Sequence, residues 1–167
     1  MSTINGLPAH VLLVHLVVVL VPLTALALVV GAIWPQAARR MGLVLPLLAL
    51  VTLGSVPLAT EAGEWLEEHV TTSALIRRHT ELGDGLLPWV VGLFVLAAVV
   101  WWTTRRTPAE ESAPRSATIV RVAALVLSVV VAAGAVVDVY RIGDSGAKAA
   151  WTGGFSKSAT DSGDGDD

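Results

Sequence analysis

PAHVLLVHLVVVLVPLTALALVVGAIWP, from Pro8 to Pro35, holds no charged residue, and no charge precedes it. An apolar helix needs about 20 residues to cross the hydrocarbon core of a bilayer, so this stretch reads as a membrane span from about 8 to 34. A secretory signal would place a basic segment ahead of a shorter apolar core of roughly 7 to 15 residues. Here the run is longer, and the first basic residues, Arg39 and Arg40, follow it. Pro8 suits the first position of a helix, and Pro22 predicts a kink in mid-span.

The same pattern recurs along the chain. Residues 41–60, 85–104 and 122–137 are also free of Lys, Arg, Asp and Glu. With 15% charged residues, against roughly 25% in soluble domains, the chain is no ordinary water-soluble globule. The expected fold is all-α: a polytopic membrane protein whose residues 1–151 form a four-helix transmembrane bundle, with spans at about 8–34, 41–60, 82–102 and 117–140. Residues 152–167 read as a disordered acidic tail, too poor in apolar side chains to fold. Glu61 to Gly83, where Trp65, Leu66, Leu75 and Ile76 alternate with acids and arginines, reads either as an amphipathic helix on the membrane surface or as extensions of the flanking spans. No internal repeat is evident.

Composition excludes several chemistries. The chain has no cysteine, so it forms no disulfide framework, Cys-ligated iron–sulfur cluster or covalently attached haem. A net charge of −3 gives no basic footprint for nucleic acid. The bilayer is the evident partner, and other membrane subunits or further copies of the chain are the remaining candidates.

Basic residues near short loops favour the cytoplasm. Arg39, Arg40, Arg105, Arg106, Arg115 and Arg121 lie at one end of the predicted bundle. Arg77, Arg78, Arg141, Lys148 and Lys157 lie at the other, with Lys157 well down the tail. The expected topology places both termini outside the bacterial plasma membrane, with Trp34, Trp101 and Trp102 as an inner aromatic belt.

That topology gathers His10, His15, His69 and His79 at the outer end, together with Glu61, Glu64, Asp84 and Asp138. Ionisable groups in or at the edge of a membrane bundle are candidates for function because placing them there is costly. His15 is the deepest histidine, ~10 Å along a helix that begins near Pro8. Its plain reading is a neutral imidazole bonded to a neighbouring helix, through a backbone carbonyl or Glu64; a metal or haem ligand and a proton relay are the functional ones. His10 and His15 point about 140° apart at 100° per residue, so they cannot chelate one ion from one helix. A site must pair one of them with His79, or with Glu61, Glu64 or Asp138. A b-type haem between two helix-borne imidazoles has this form, as does a divalent metal with mixed His and carboxylate ligands.

In the fourth span, Ala124, Ser128, Ala132 and Ala135 share a face within about 80° of arc, and small residues there allow close contact between helices in lipid. Asp138 continues that face and should point at other helices, or pair locally with Arg141. Gly143-Asp144-Ser145-Gly146 matches the string around a serine-protease nucleophile, but that chemistry needs a different scaffold and a buried Asp–His pair.

These segments resemble a bacterial membrane-protein family catalogued as domain of unknown function 2231. The resemblance rests on LPAHVLLVHL (Leu7 to Leu16), ATEAGEWL after the second span, HTELGDGLLPW into the third and VYRIGDSGAKAAW after the fourth, covering about residues 5–151. It implies four membrane helices, no established activity, and b-type haem or electron transfer as the role to test, with His10, His15 and His79 as the carried-over cofactor positions. Two departures stand out: Val11 rather than Pro follows His10, and Asp144 occupies a position that is His in some relatives.

Two functions of different class follow: a membrane redox or metal-binding protein with its cofactor between helices near the outer face, or a non-catalytic accessory subunit of a larger membrane complex. A small transporter fits less well, since carriers place a polar site near the midplane between repeated halves. Catalysis is not expected. The topology makes a direct prediction in this cysteine-free chain: single cysteines at Ser2 and Ser158 react with an impermeant thiol reagent in intact cells, and one at Ser112 does not. Labelling at Ser112 alone would invert the orientation.

Overall fold

The computed structural model describes residues 3–4, 7–71, 73–106 and 115–152. The tail beyond Thr152 and the 107–114 part of the polar loop lie outside the described residues. Two short strands, β1 (Thr3–Ile4) and β2 (Leu7–Pro8), pair antiparallel ahead of six helices: α1 (Ala9–Ile33), α2 (Pro35–Met41), α3 (Val44–Glu68), α4 (Ala74–Asp84), α5 (Leu86–Arg106) and α6 (Arg115–Trp151). Four stretches are long and apolar enough to cross a membrane: Ala9–Ile33, Val44–Glu68, Ala74–Arg105, which runs through α4 and α5, and Thr118–Trp151. The protein is a four-helix transmembrane bundle.

Local chemistry sets the breaks. Trp34, held extended ahead of Pro35, ends α1 because a residue before proline is pushed out of the helical region. The short α2 begins on Pro35, carries Arg39 and Arg40 in its last turn, and stops at Gly42, whose φ of 53° is left-handed; glycine adopts that conformation without steric cost. Ser73 caps α4 by accepting a hydrogen bond from the Ile76 amide at 3.2 Å. Gly85 separates α4 from α5, and Pro88 falls in the first turn of α5, where its missing N–H has no helical partner to lose.

Each spanning helix packs on two neighbours in a closed ring: α1 on α3, α3 on α5, α5 on α6, and α6 back on α1. Val17, Val21, Ala25 and Leu28 of α1 meet Leu45, Ala49 and Val56 of α3, Val90, Leu93 and Ala97 of α5, and Ala132 and Ala135 of α6 in one buried core. The outer face is as apolar as the core: Val19, Leu26, Val44 and Val130 all point away from the bundle, as they must where hydrocarbon replaces water. Inside, Thr24 of α1 and Thr52 of α3 bond hydroxyl to hydroxyl at 2.7 Å, and Thr52 also donates to the Leu48 carbonyl at 2.8 Å.

Between α5 and α6 the fit is reciprocal. The Trp89 ring of α5 sits over Gly134 of α6, while Val131 of α6 sits over Gly92 of α5, so that a methyl group at either glycine would collide with the opposing side chain. The small-residue face of α6 is buried at Ser128, Ala132 and Ala135.

Two readings of the sequence change. In the 61–83 segment α3 runs on to Glu68, extending the second span, and a separate amphipathic α4 follows, packed along α6. α6 also continues well past Tyr140, which puts the GDSG string on a helix. Enlarging Ala132 to Leu should overpack the bundle and destabilise it by ~1 to 3 kcal/mol, while Val130→Leu, at a site 56% exposed, should change little. Thermal unfolding in detergent checks the difference; equal stabilities would contradict the packing face.

Candidate functional site

All four histidines use ring nitrogen Nδ1 to bond a backbone carbonyl, and the identity of that carbonyl sorts them. His15 bonds Val11 of its own helix at 2.6 Å, and His69 bonds Trp65 at 2.7 Å. These are local bonds. His15 lies on the exposed outer side of α1, and the His69 ring stacks on Trp65 with centroids 4.0 Å apart. His10 and His79 instead reach across to other helices.

His10, in the first turn of α1, donates from Nδ1 to the Ala59 carbonyl of α3 at 2.9 Å, and its ring lies over Gly63, one helical turn further on. His79 of α4 shares its Nδ1 proton between the Ile142 carbonyl of α6 at 3.1 Å and the Ser145 hydroxyl at 3.0 Å. Its ring lies over Gly146, again one turn past the carbonyl. A Cβ added at Gly63 or at Gly146 would come within 3.0 Å of the imidazole above it. The two devices are the same: a ring anchored to a carbonyl and seated on the glycine that follows.

They also meet. The ring centroids of His10 and His79 are 6.1 Å apart and the planes are nearly perpendicular at 81°. Because a carbonyl oxygen only accepts, each Nδ1 carries the proton, and in the neutral ring Nε2 keeps its lone pair. The pair thus offers two ligand nitrogens, one from each hairpin of the bundle.

The other candidate residues do not join this pair. Glu61 and Glu64 are exposed on α3. Asp138 turns inward toward Gly85, with its Oδ2 buried and without a hydrogen-bond partner among the described residues. Nowhere among the described residues do three or more His, Asp or Glu side chains converge to hold a metal ion. The structure brings His10 to His79 and leaves His15 on the outer face.

The sequence contained a signal for this arrangement that its reading missed. Ala59-Thr60-Glu61-Ala62-Gly63 and Ile142-Gly143-Asp144-Ser145-Gly146 align position by position, each a small residue, an acid, a small residue and a glycine after the anchoring carbonyl. The absence of repeats expected from the sequence gives way, at this one place, to a repeated clasp. It also gives the protease-like string a helical setting: Ser145 donates its own proton to the Ile142 carbonyl at 2.8 Å, and Asp144 pairs outward with Lys148 at 2.6 Å.

Comparison with known families matches residues 6–159 to the predicted membrane proteins of DUF2231. No curated protein and no solved structure matches the chain. The match spans nearly the whole chain and agrees with the four spanning helices: this multi-pass protein of the bacterial plasma membrane belongs to the DUF2231 family.

Proposed function

We propose that the protein is a membrane redox carrier that holds one b-type haem iron between His10 and His79, near the outer face of the membrane. The observation that carries this reading is the cross-helix imidazole pair, with no third protein ligand beside it among the described residues. A bare zinc site takes three or four protein ligands. Haem iron needs only one or two, because the macrocycle occupies the other positions. His10 and His79, whose ring centres lie 6.1 Å apart, would hold the iron through their Nε2 atoms. Both rings are already fixed by their Nδ1 bonds, the partner that orients an axial or metal-bound histidine and raises its basicity.

Haem bound there would supply reversible one-electron chemistry. The chain's own part is to hold two neutral imidazoles in place through Ala59 and Ile142, and to surround them with helix. His15 takes no part in this reading, since its ring is committed to its own helix on the lipid side.

The test is a visible spectrum of protein purified in mild detergent and supplied with haem. A sharp reduced band of a bis-imidazole haem is expected in the wild type and in His15→Ala and His69→Ala. It should be lost in His10→Ala and His79→Ala and restored by added imidazole, which separates loss of a ligand from loss of the fold. A wild type that takes up neither haem nor stoichiometric metal would overturn the proposal and favour an accessory subunit in which the histidines only clasp helices together.

A further inference from the structure

The charges are sorted by end of the bundle. Among the described residues, every acid falls within 61–84 or 138–144, at the end that holds the histidines. Cations there come with carboxylates: Arg77 reaches Glu81 at 3.8 Å and Lys148 reaches Asp144 at 2.6 Å. The opposite end carries Arg39 and Arg40 in the last turn of α2, Arg105 near the end of α5 and Arg121 on α6, all exposed. Arg40 and Arg105 meet no carboxylate among the described residues.

Packing fixes where these two cations stand. The short α2 lies on α1 and on α5, with Ala38 buried and both Ala38 and Met41 set against Gly31 of α1. Arg40 is left on the side of α2 that faces away from the bundle. On α5, the Arg105 guanidinium lies over the Trp101 ring, 5.0 Å from its centroid. Stacking of this kind occupies the flat face of the guanidinium and leaves the N–H donors along its edge for a partner in the plane.

The surroundings of α2 are apolar. Ile33 and Trp34 just ahead of it, and Leu43 and Val44 just after it, are all exposed. Such side chains at the end of a span meet hydrocarbon and its boundary, and an indole belongs at the level of the headgroups. A small anion taken from water would need the arginines but not this apolar collar. A phospholipid uses both.

We propose that α2 and the end of α5 form a binding site for an anionic phospholipid, with its headgroup phosphate held by Arg40 and Arg105 and its acyl chains laid along the apolar residues that flank α2. A guanidinium holds a phosphate through paired, charge-assisted N–H···O bonds. The site requires no cofactor and is independent of the haem reading. Arginines in the last turn of a helix also complement its dipole, but that role creates no preference among lipids.

Lipid preference is therefore the readout. The full chain in an uncharged detergent is titrated with phosphatidylglycerol or with phosphatidylcholine, and native mass spectrometry counts the lipid retained. Phosphatidylglycerol should be retained in preference, and Arg40→Gln and Arg105→Gln should each weaken its binding about five-fold, the effect of one cation at a membrane surface. Arg40→Lys, which keeps the charge, should retain most of the binding. Arg77→Gln combined with Arg78→Gln, at the other end, should leave it unchanged, and thermal unfolding without lipid checks that each variant is folded. Equal retention of the two lipids, indifference to the Arg40 and Arg105 substitutions, or an equal loss in the Arg77 and Arg78 variant would overturn the proposal. So would displacement of the lipid by inorganic phosphate, which would mark a site for small anions instead.

Discussion

In hydrocarbon no water completes a hydrogen bond, so every polar group that enters the bundle must bring its partner or find one on another helix. That constraint arranges most of the polar groups inside this protein; Ser128 Oγ and Asp138 Oδ2 are buried without a hydrogen-bond partner among the described residues. The hydroxyls of Thr24 and Thr52 bond each other, and the threonines near the C-terminal end of α5 bond the carbonyls one turn back. His10 and His79 take the larger step of bonding carbonyls on other helices. A helical carbonyl has a second lone pair to give, and a side chain can reach it where the residue one turn on is glycine, because no Cβ stands in the way. Gly63 and Gly146 are such positions.

The consequence is a bundle tied at one end by two like clasps, α1 to α3 and α4 to α6, with the two rings close to the junction between the hairpins. Neither clasp alone defines a site. Together they put two imidazoles 6.1 Å apart in a protein otherwise short of polar side chains. Their convergence is the observation on which the proposed shared ligand rests.

The fold was legible in the sequence because charge-free runs of spanning length admit few alternatives, and Pro35, Gly42 and Ser73 mark helix ends by their own backbone and capping chemistry. The site was only half legible. The five-residue spacing of His10 and His15 shows that one of them faces away from any site the other joins, but not which one, because that depends on how α1 is rotated against α3. Depth argued for His15; the ring bonded to Val11 on the outer side of α1 shows that depth along a helix and burial within a bundle are different things. The reach of α6 to Trp151 was hidden for a similar reason. Arg141, Asp144 and Lys148 look like the end of a span, yet they pair or point outward while Ile142, Ser145 and Gly146 keep the inner face continuous.

The proposal to be tested is that His10 and His79, whose ring planes stand at 81°, would together hold one haem iron. Electron paramagnetic resonance of the oxidised, haem-loaded protein measures this directly, because the anisotropy of a low-spin ferric signal reports the angle between the axial imidazole planes. A strongly anisotropic low-spin signal of the perpendicular bis-imidazole type is the predicted result. A high-spin ferric signal, or the rhombic low-spin signal of parallel rings, would contradict it.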